Sequence, residues 1–139
     1  MSGIPHQASC VAIGGRAVLI EGPPGSGKSS LALALIDRGA TLVGDDGVLL
    51  EARDGRLWAL PPPNIAGLLE IRNVGLATLP AEPAPVALVL RLDPAALRQP
   101  ESAEQASLAG VSVPLIRLWP DTPALPLRAE WALNLHGTS

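Results

Sequence analysis

The sequence contains no phenylalanine and no tyrosine, and only three tryptophans, Trp58, Trp119 and Trp131. Base-stacking platforms of the kind used by single-strand nucleic-acid binders cannot be assembled from that inventory. An aromatic sandwich around a nucleotide base is not expected from it either. Cysteine occurs once, at Cys10, so no internal disulfide can form. Cys10 reads as a small buried apolar residue in a protein kept in a reducing cytoplasm. Lysine also occurs once, at Lys28; the other basic residues are scattered arginines. With a formal net charge of −3 there is neither a basic excess nor a basic stripe to meet a nucleic acid. No stretch approaches the ~18 uninterrupted apolar residues of a membrane span, and the first ten residues lack the basic and apolar regions of a secretory leader. The expectation is a cytoplasmic protein with no membrane and no nucleic-acid partner.

What is present suits one globular domain over residues 1–139, with 47% apolar and 17% charged residues and a core carried by Leu, Ala and Val. Cys10–Ile13 and Ala17–Glu21 flank Gly14-Gly15-Arg16 and read as a hairpin. The second run does not alternate, as expected of a strand buried on both faces by helices. A Gly/Pro loop follows, then a helix from Lys28 to Arg38 with Leu31, Ala34 and Leu35 at helical spacing and Gly39 beyond its end. Thr41–Val43 reads as a strand ended by Gly44-Asp45-Asp46. Together these make a βαβ unit with parallel strands. Val48–Ala52 and Arg56–Leu60, around Asp54-Gly55, read as a second hairpin. Ile65–Glu70 reads as a helical turn, Ile71–Ala77 as extended chain and Ala81–Pro85 as a proline-rich connector. Val86–Leu92 has the continuous apolar character of a central strand. Pro94–Ala109 reads as loop plus short helix, Val113–Leu118 as a strand, and Trp131–Leu135 as a last short strand or helix. The tryptophans are expected in the core or at an interface, and His136 in the tail.

Gly22-Pro23-Pro24-Gly25-Ser26-Gly27-Lys28-Ser29 satisfies the P-loop pattern G-x-x-x-x-G-K-[ST]. Its glycines let backbone N–H groups converge on phosphate oxygens where side chains would clash, and the positive end of the following helix, with Ser30 in its first turn, adds to the pull. Lys28 is expected to reach the β- and γ-phosphates, and the Ser29 hydroxyl to ligate Mg²⁺. Asp45 and Asp46 fall at the strand end on the same edge as that loop. Adjacent side chains there point to opposite sides, so one can address the metal and the other the attacking hydroxyl. A plain Asp-Asp-Gly turn is the alternative reading.

The loop, then Val43-Gly44-Asp45-Asp46, then Leu69-Glu70-Ile71-Arg72-Asn73-Val74-Gly75, in this order and at these separations, resemble the catalytic domain of the HPr kinase/phosphorylase family. The resemblance covers most of residues 6–120. It looks like the short bacterial form that lacks the N-terminal domain of the longer enzymes. It implies an α/β fold, a mixed sheet of the phosphoenolpyruvate-carboxykinase-like type with a P-loop. The implied activity is ATP- and Mg²⁺-dependent phosphorylation of a serine on the phosphocarrier protein HPr, with a reverse, phosphate-driven reaction in the family, and assembly into hexamers. By the same resemblance Asp45 is the acid/base residue, supported by Asp46. Ser29 and Glu70 are Mg²⁺ ligands, and Asp46 is counted with them. His6 lies near the γ-phosphate, Arg72 belongs to the catalytic signature and Arg98 matches a further catalytic arginine. Two departures stand out. Asn73 occupies the place of a family glycine, and Leu125–Glu130 poorly matches a family Pro-x-Arg-Pro-Gly-Arg-like segment tied to dephosphorylation. Two other readings are compatible with a P-loop: a small-molecule kinase, for whose arginine-rich lid there is little room, and a nucleotide-sensing module, which needs no base.

Overall fold

The structure is a computed structural model and describes residues 3–120 and 122–139. Two turn dipeptides fix its first and second hairpins. Gly14 and Gly15 take φ of 57° and 83°, and Asp54 and Gly55 take 50° and 80°. Both central residues lie in the left-handed region, as the twist of a tight hairpin requires. The hairpins join β2 (Ser9–Ile13) to β3 (Arg16–Glu21) and β5 (Val48–Arg53) to β6 (Arg56–Leu60). Before them lies β1 (Ile4–His6), and between them α1 (Lys28–Asp37) and β4 (Thr41–Gly44). After them come β7 (Leu68–Ile71), β8 (Gly75–Thr78), β9 (Ala84–Leu92), β10 (Glu104–Leu108), β11 (Val111–Leu118) and α2 (Leu125–His136).

The main sheet runs β1-β5-β6-β9-β3-β2-β4, with β11 added to β9 and β10 to β11. β9 is parallel to both β3 and β11 and antiparallel to β6, so the sheet is mixed and the fold is α/β. β3 and β4 run in the same direction, as the βαβ reading requires, but they are not neighbours. β2 lies between them, antiparallel to each, and the parallel partner of β3 is β9.

β3 and β9 read as unbroken apolar runs because both their faces are buried. Val18 and Ile20 with Leu88 and Leu90 join Leu31, Ala32 and Leu35 of α1 and Ala129 and Leu133 of α2 in one cluster. Ala17, Leu19 and Val89 join Cys10, Val43, Leu50, Leu57 and Leu115 in another. Helices therefore cover one face, while the second core is built from strands; the expectation of helices on both faces is corrected. In α1 it is Ala32, not Ala34, that is buried with Leu31 and Leu35. Cys10 is wholly buried, and that burial pushes its thiol pKa up, outweighing the backbone hydrogen bond from Val18, so it stays protonated and inert.

Other expectations also change. The expected helical turn over Ile65–Glu70 is in fact a turn leading into β7, which pairs with β8 as a separate two-stranded sheet. The expected short helix within Pro94–Ala109 is absent among the described residues; Glu104–Leu108 is the edge strand β10 instead. The tail forms a twelve-residue helix, with proline in its first turn and His136 as its last residue. Trp131 is 60% exposed, and Trp119 sits at the surface beneath Arg128, so neither is core. No helix among the described residues is long and apolar enough to cross a membrane.

Gly44 closes the turn that carries the two aspartates. A Cβ there would overlap the carbonyl oxygen of Gly47 and lie 2.7 Å from Val48 Cγ1. Gly44→Ala is therefore expected to lower stability by about 1–3 kcal/mol, read as a drop in the urea midpoint at unchanged m-value.

Candidate active site

The loop Gly22–Ser29 leaves the end of β3 and feeds α1. Gly22 has no room for a side chain: a Cβ would lie 2.6 Å from Ser26 Oγ and 3.2 Å from Leu92 Cβ. The Lys28 ammonium folds back over the loop and donates to the carbonyls of Gly22 (2.8 Å) and Pro23 (3.2 Å). No side chain caps α1, and its first internal hydrogen bond runs from Leu31 N–H to Gly27 O. The amides at the start of the helix, Lys28 to Ser30, are thus left to an outside acceptor, in the field of the helix dipole.

Asp45, at the end of β4, is 6% exposed and holds three elements together. Its Oδ1 accepts hydrogen bonds from the hydroxyls of Ser29 on α1 (2.6 Å) and Ser9 on β2 (2.9 Å). Its Oδ2 accepts the backbone N–H of Glu70 on β7 (3.1 Å). Asp46, the next residue, is exposed with φ of 60°. The two carboxylates therefore differ sharply: one is buried and anchored, the other lies at the surface of the cleft.

That cleft is lined by Lys28, Ser29, Ser30, Asp46, Glu70 and Arg72, with Ser9 and part of the glycine loop. Across Ser29, Asp46 and Glu70 it joins a second depression with Asp45 on its wall and Ile65, Leu68 and Leu76 as an apolar rim. Glu70 and Leu76 are cross-strand partners in the β7–β8 hairpin, which puts the carboxylate and the apolar rim on one face. Among the described residues no ion pair links Glu70 to Arg72.

His6 lines a separate depression beside Gly22 and Pro23, at the start of the loop. Its Nε2 is 2.8 Å from Glu21 Oε2, while Arg91 Nη2 (2.7 Å) and Nε (3.2 Å) donate to Glu21 Oε1. Glu21 is the last residue of β3 and immediately precedes Gly22. Burial, the largest single influence, pushes its pKa up, but the hydrogen bonds from His6 and Arg91, reinforced by their charge, together outweigh it and leave the carboxyl below its ordinary value. A depressed carboxylate contributes stability that is present above the unfolded-state pKa and lost as pH falls through the folded one. The acid limb of a thermal-melt series below about pH 4.5 should therefore be steeper in wild type than in Glu21→Gln. At neutral pH the variant should be less stable by about 1–2 kcal/mol. Superimposable acid limbs would contradict the assignment.

The fold thus brings Lys28, Ser29, Ser30, Asp46, Glu70 and Arg72 to one cleft and Asp45 to the depression that adjoins it, with His6 in a further depression beside Gly22 and Pro23. Arg98 does not join them. It lines a separate depression with Trp119 and Arg128. Leu125–Glu130 forms the first turns of α2 and sends Arg128 over the Trp119 ring, 5.4 Å from its centroid. Asn73 has φ of 65°, a left-handed conformation that asparagine tolerates better than most side chains. Ser9 was not foreseen, because a serine next to an apolar run carries no signal of its own. Only the antiparallel pairing of β2 with β4 brings it to Asp45, 36 positions away.

Among the described residues no group of three or more His, Cys, Asp or Glu side chains is gathered to hold a metal unaided. Ser29, Asp46 and Glu70 instead offer one hydroxyl and two carboxylates around an open cleft. That donor set suits Mg²⁺, a hard cation that keeps water and shares phosphate oxygens, rather than a metal needing a closed protein cage.

The profile described as HPr Serine kinase C-terminal domain matches residues 3–81. Over 122 residues the chain is 39% identical to the HPr kinase/phosphorylase of Streptococcus thermophilus, which covers 78% of this chain and 40% of that protein. It is 45% identical over 67 residues to the HPr kinase/phosphorylase of Clostridium novyi, covering 48% of this chain and 22% of that one. A solved structure of the Hpr(Ser) kinase/phosphatase from Coxiella burnetii superimposes with a TM-score of 0.81 at 30% identity, covering 94% of this chain and 88% of that one. The chain spans 40% or less of the length of these curated relatives. Its matched residues include the glycine loop and both aspartates, and the chain belongs to the HPr serine kinase C-terminal domain family.

Proposed function

We propose that this chain transfers the γ-phosphoryl group of ATP, with Mg²⁺, to a serine of an HPr-type phosphocarrier protein, on a P-loop fold of the phosphoenolpyruvate-carboxykinase-like type. The observation that carries the reading is the buried Asp45 carboxylate, anchored to Ser29 on α1 and to the Glu70 amide on β7, at the junction of two depressions. One depression has the chemistry of a phosphate site: a lysine, a helix start with unpaired amides, and an arginine. The other offers an apolar rim beside carboxylates, suited to an incoming protein segment.

In this reading the N–H groups of the glycine loop and of the first turn of α1 hold the β- and γ-phosphates. Lys28 leaves the Gly22 and Pro23 carbonyls to meet phosphate oxygens. Ser29, Asp46 and Glu70 would hold Mg²⁺, which when bound neutralises charge on the phosphates. Asp45 orients the acceptor serine hydroxyl and takes its proton as the oxygen attacks phosphorus. Arg72 steadies charge on the transferred group. His6, tied to Glu21, braces the start of the loop. The names of the relatives carry a phosphorylase or phosphatase activity as well. In the reverse direction Asp45 would return the proton to the leaving serine.

The test is transfer of labelled γ-phosphate from Mg²⁺–ATP to purified HPr. Label on an acceptor serine that scales with enzyme concentration supports the proposal. Clear ATP binding without label on HPr would move the reading to another acceptor or to a nucleotide sensor.

A further inference from the structure

Ser9 and Asp45 are the two buried polar or charged residues among the described residues, and they hydrogen-bond to each other. Ser9 is 1% exposed. A buried hydroxyl costs stability unless it is paired, and the partner of this one is the Asp45 carboxylate on the wall of the depression that adjoins the cleft. The backbone around it is specialised. Next to Ser9, the register of β2 against β4 shifts between Cys10 and Val11, an irregularity of the kind that re-aims a side chain.

The division of labour on Asp45 gives Ser9 a particular duty. Oδ1 accepts both Ser9 and Ser29 hydroxyls and is saturated. Oδ2 accepts the Glu70 amide alone and retains one acceptor site. Ser29 sits in the first turn of the helix at the phosphate loop, where in the proposed reading Mg²⁺ would take its oxygen. Ser9 also borders the cleft, but it is 1% exposed and sits on β2 inside the sheet, so its bond to Oδ1 is held by the sheet and not by the helix that carries the phosphate loop.

We infer that Ser9 is a positioning residue for phosphoryl transfer: it pins Oδ1 of Asp45 from the sheet side, so that Oδ2 stays against Glu70 and keeps its free acceptor site toward the reacting hydroxyl. The inference rests on the reading of Asp45 as the acid/base group. The contact itself can be tested without that reading, because a carboxylate released by loss of Ser9 loosens its grip on the Glu70 N–H.

The experiment compares wild type with Ser9→Ala, Ser9→Thr, Asp45→Asn and the double variant Ser9→Ala/Asp45→Asn. Two readouts are used: amide hydrogen exchange at Glu70, and steady-state phosphoryl transfer. In Ser9→Ala the Glu70 amide should exchange about 10-fold faster while amides elsewhere in β7–β8 hold their rates. The kcat should fall about 10-fold with nucleotide affinity within about twofold of wild type. Ser9→Thr, which keeps the hydroxyl, should restore both. In the Asp45→Asn background, Ser9→Ala should cost no further rate, since coupled residues are not additive. Unchanged Glu70 exchange in Ser9→Ala would overturn the inference. So would an unchanged kcat in an active enzyme, or full additivity in the double variant. Faster exchange at Glu70 in a protein whose wild type labels no acceptor would uphold the Ser9–Asp45 contact as the anchor and remove the phosphotransfer reading instead.

Discussion

Asp45→Asn is expected to lower phosphoryl transfer to the acceptor serine by about 100-fold or more, while Mg²⁺–ATP affinity stays within a factor of about three. The split follows from where the carboxylate stands. Asp45 is buried beneath the cleft and accepts from two hydroxyls and one amide of the protein. The groups that would grip the nucleotide, Lys28 and the amides of the loop, do not touch it. Asparagine has the same shape, and the hydroxyls of Ser9 and Ser29 can rotate from donors to acceptors toward an amide nitrogen at the Oδ1 position. The Glu70 N–H would then keep its carbonyl acceptor. The fold should therefore lose only about 1 kcal/mol. The basic oxygen that takes the serine proton is gone in either amide orientation. Single-turnover transfer from labelled ATP, beside calorimetric titration with nucleotide, separates the two effects. Wild-type rates in Asp45→Asn would remove this residue from the acid/base role and leave it as a structural anchor.

The same residue illustrates how far the sequence could be read. The strand–loop–helix–strand order from Ala17 to Asp46 was legible because each piece has local chemistry: a Gly-Gly turn, a glycine loop that fixes the start of a helix, and an acidic pair that ends a strand. Both two-residue hairpins were legible for the same reason. What could not be read depends on pairing between distant segments. That β2 separates β3 from β4 is set by the order of strands in the sheet and not by any turn, and it is what delivers Ser9 to Asp45. β10 was obscured because Glu104-Gln105-Ala106 has helical propensity, which its pairing with β11 overrides. Its turn, Ala109-Gly110, places an alanine at φ of 50°, an unfavoured choice that gave little warning. In α2 the exposed Leu127, Trp131 and Leu135 sit opposite the buried Leu125, Ala129, Ala132 and Leu133, and apolar residues on both faces blurred the helical period. The site was read from its motifs, and its supporting contacts needed the fold.

Lys28→Ala should behave differently from Asp45→Asn: nucleotide affinity and turnover should fall together. A charge-assisted hydrogen bond to phosphate is worth about 1.5–3 kcal/mol, so affinity is expected to drop by about 10- to 100-fold. Turnover should fall further, because charge on the transferred oxygens grows toward the transition state. In the structure the ammonium occupies the Gly22 and Pro23 carbonyls, 2.8 and 3.2 Å away. Phosphate must outcompete two neutral acceptors, and it does so through its charge. Arginine at this position keeps the charge but replaces a compact ammonium with a planar fork, so Lys28→Arg should recover little. The composition offers a direct check, since Lys28 is the sole lysine of the chain. An amine-selective acylating reagent, followed by peptide mapping, reports on this one side chain separately from the chain terminus. Saturating Mg²⁺–ATP should slow its acylation by about the fraction of sites filled, and Asp45→Asn should show the same protection as wild type. Lys28 acylated equally fast with and without nucleotide would mean that the ammonium stays on the loop carbonyls, and the phosphate-binding role would pass to the backbone amides of α1 alone.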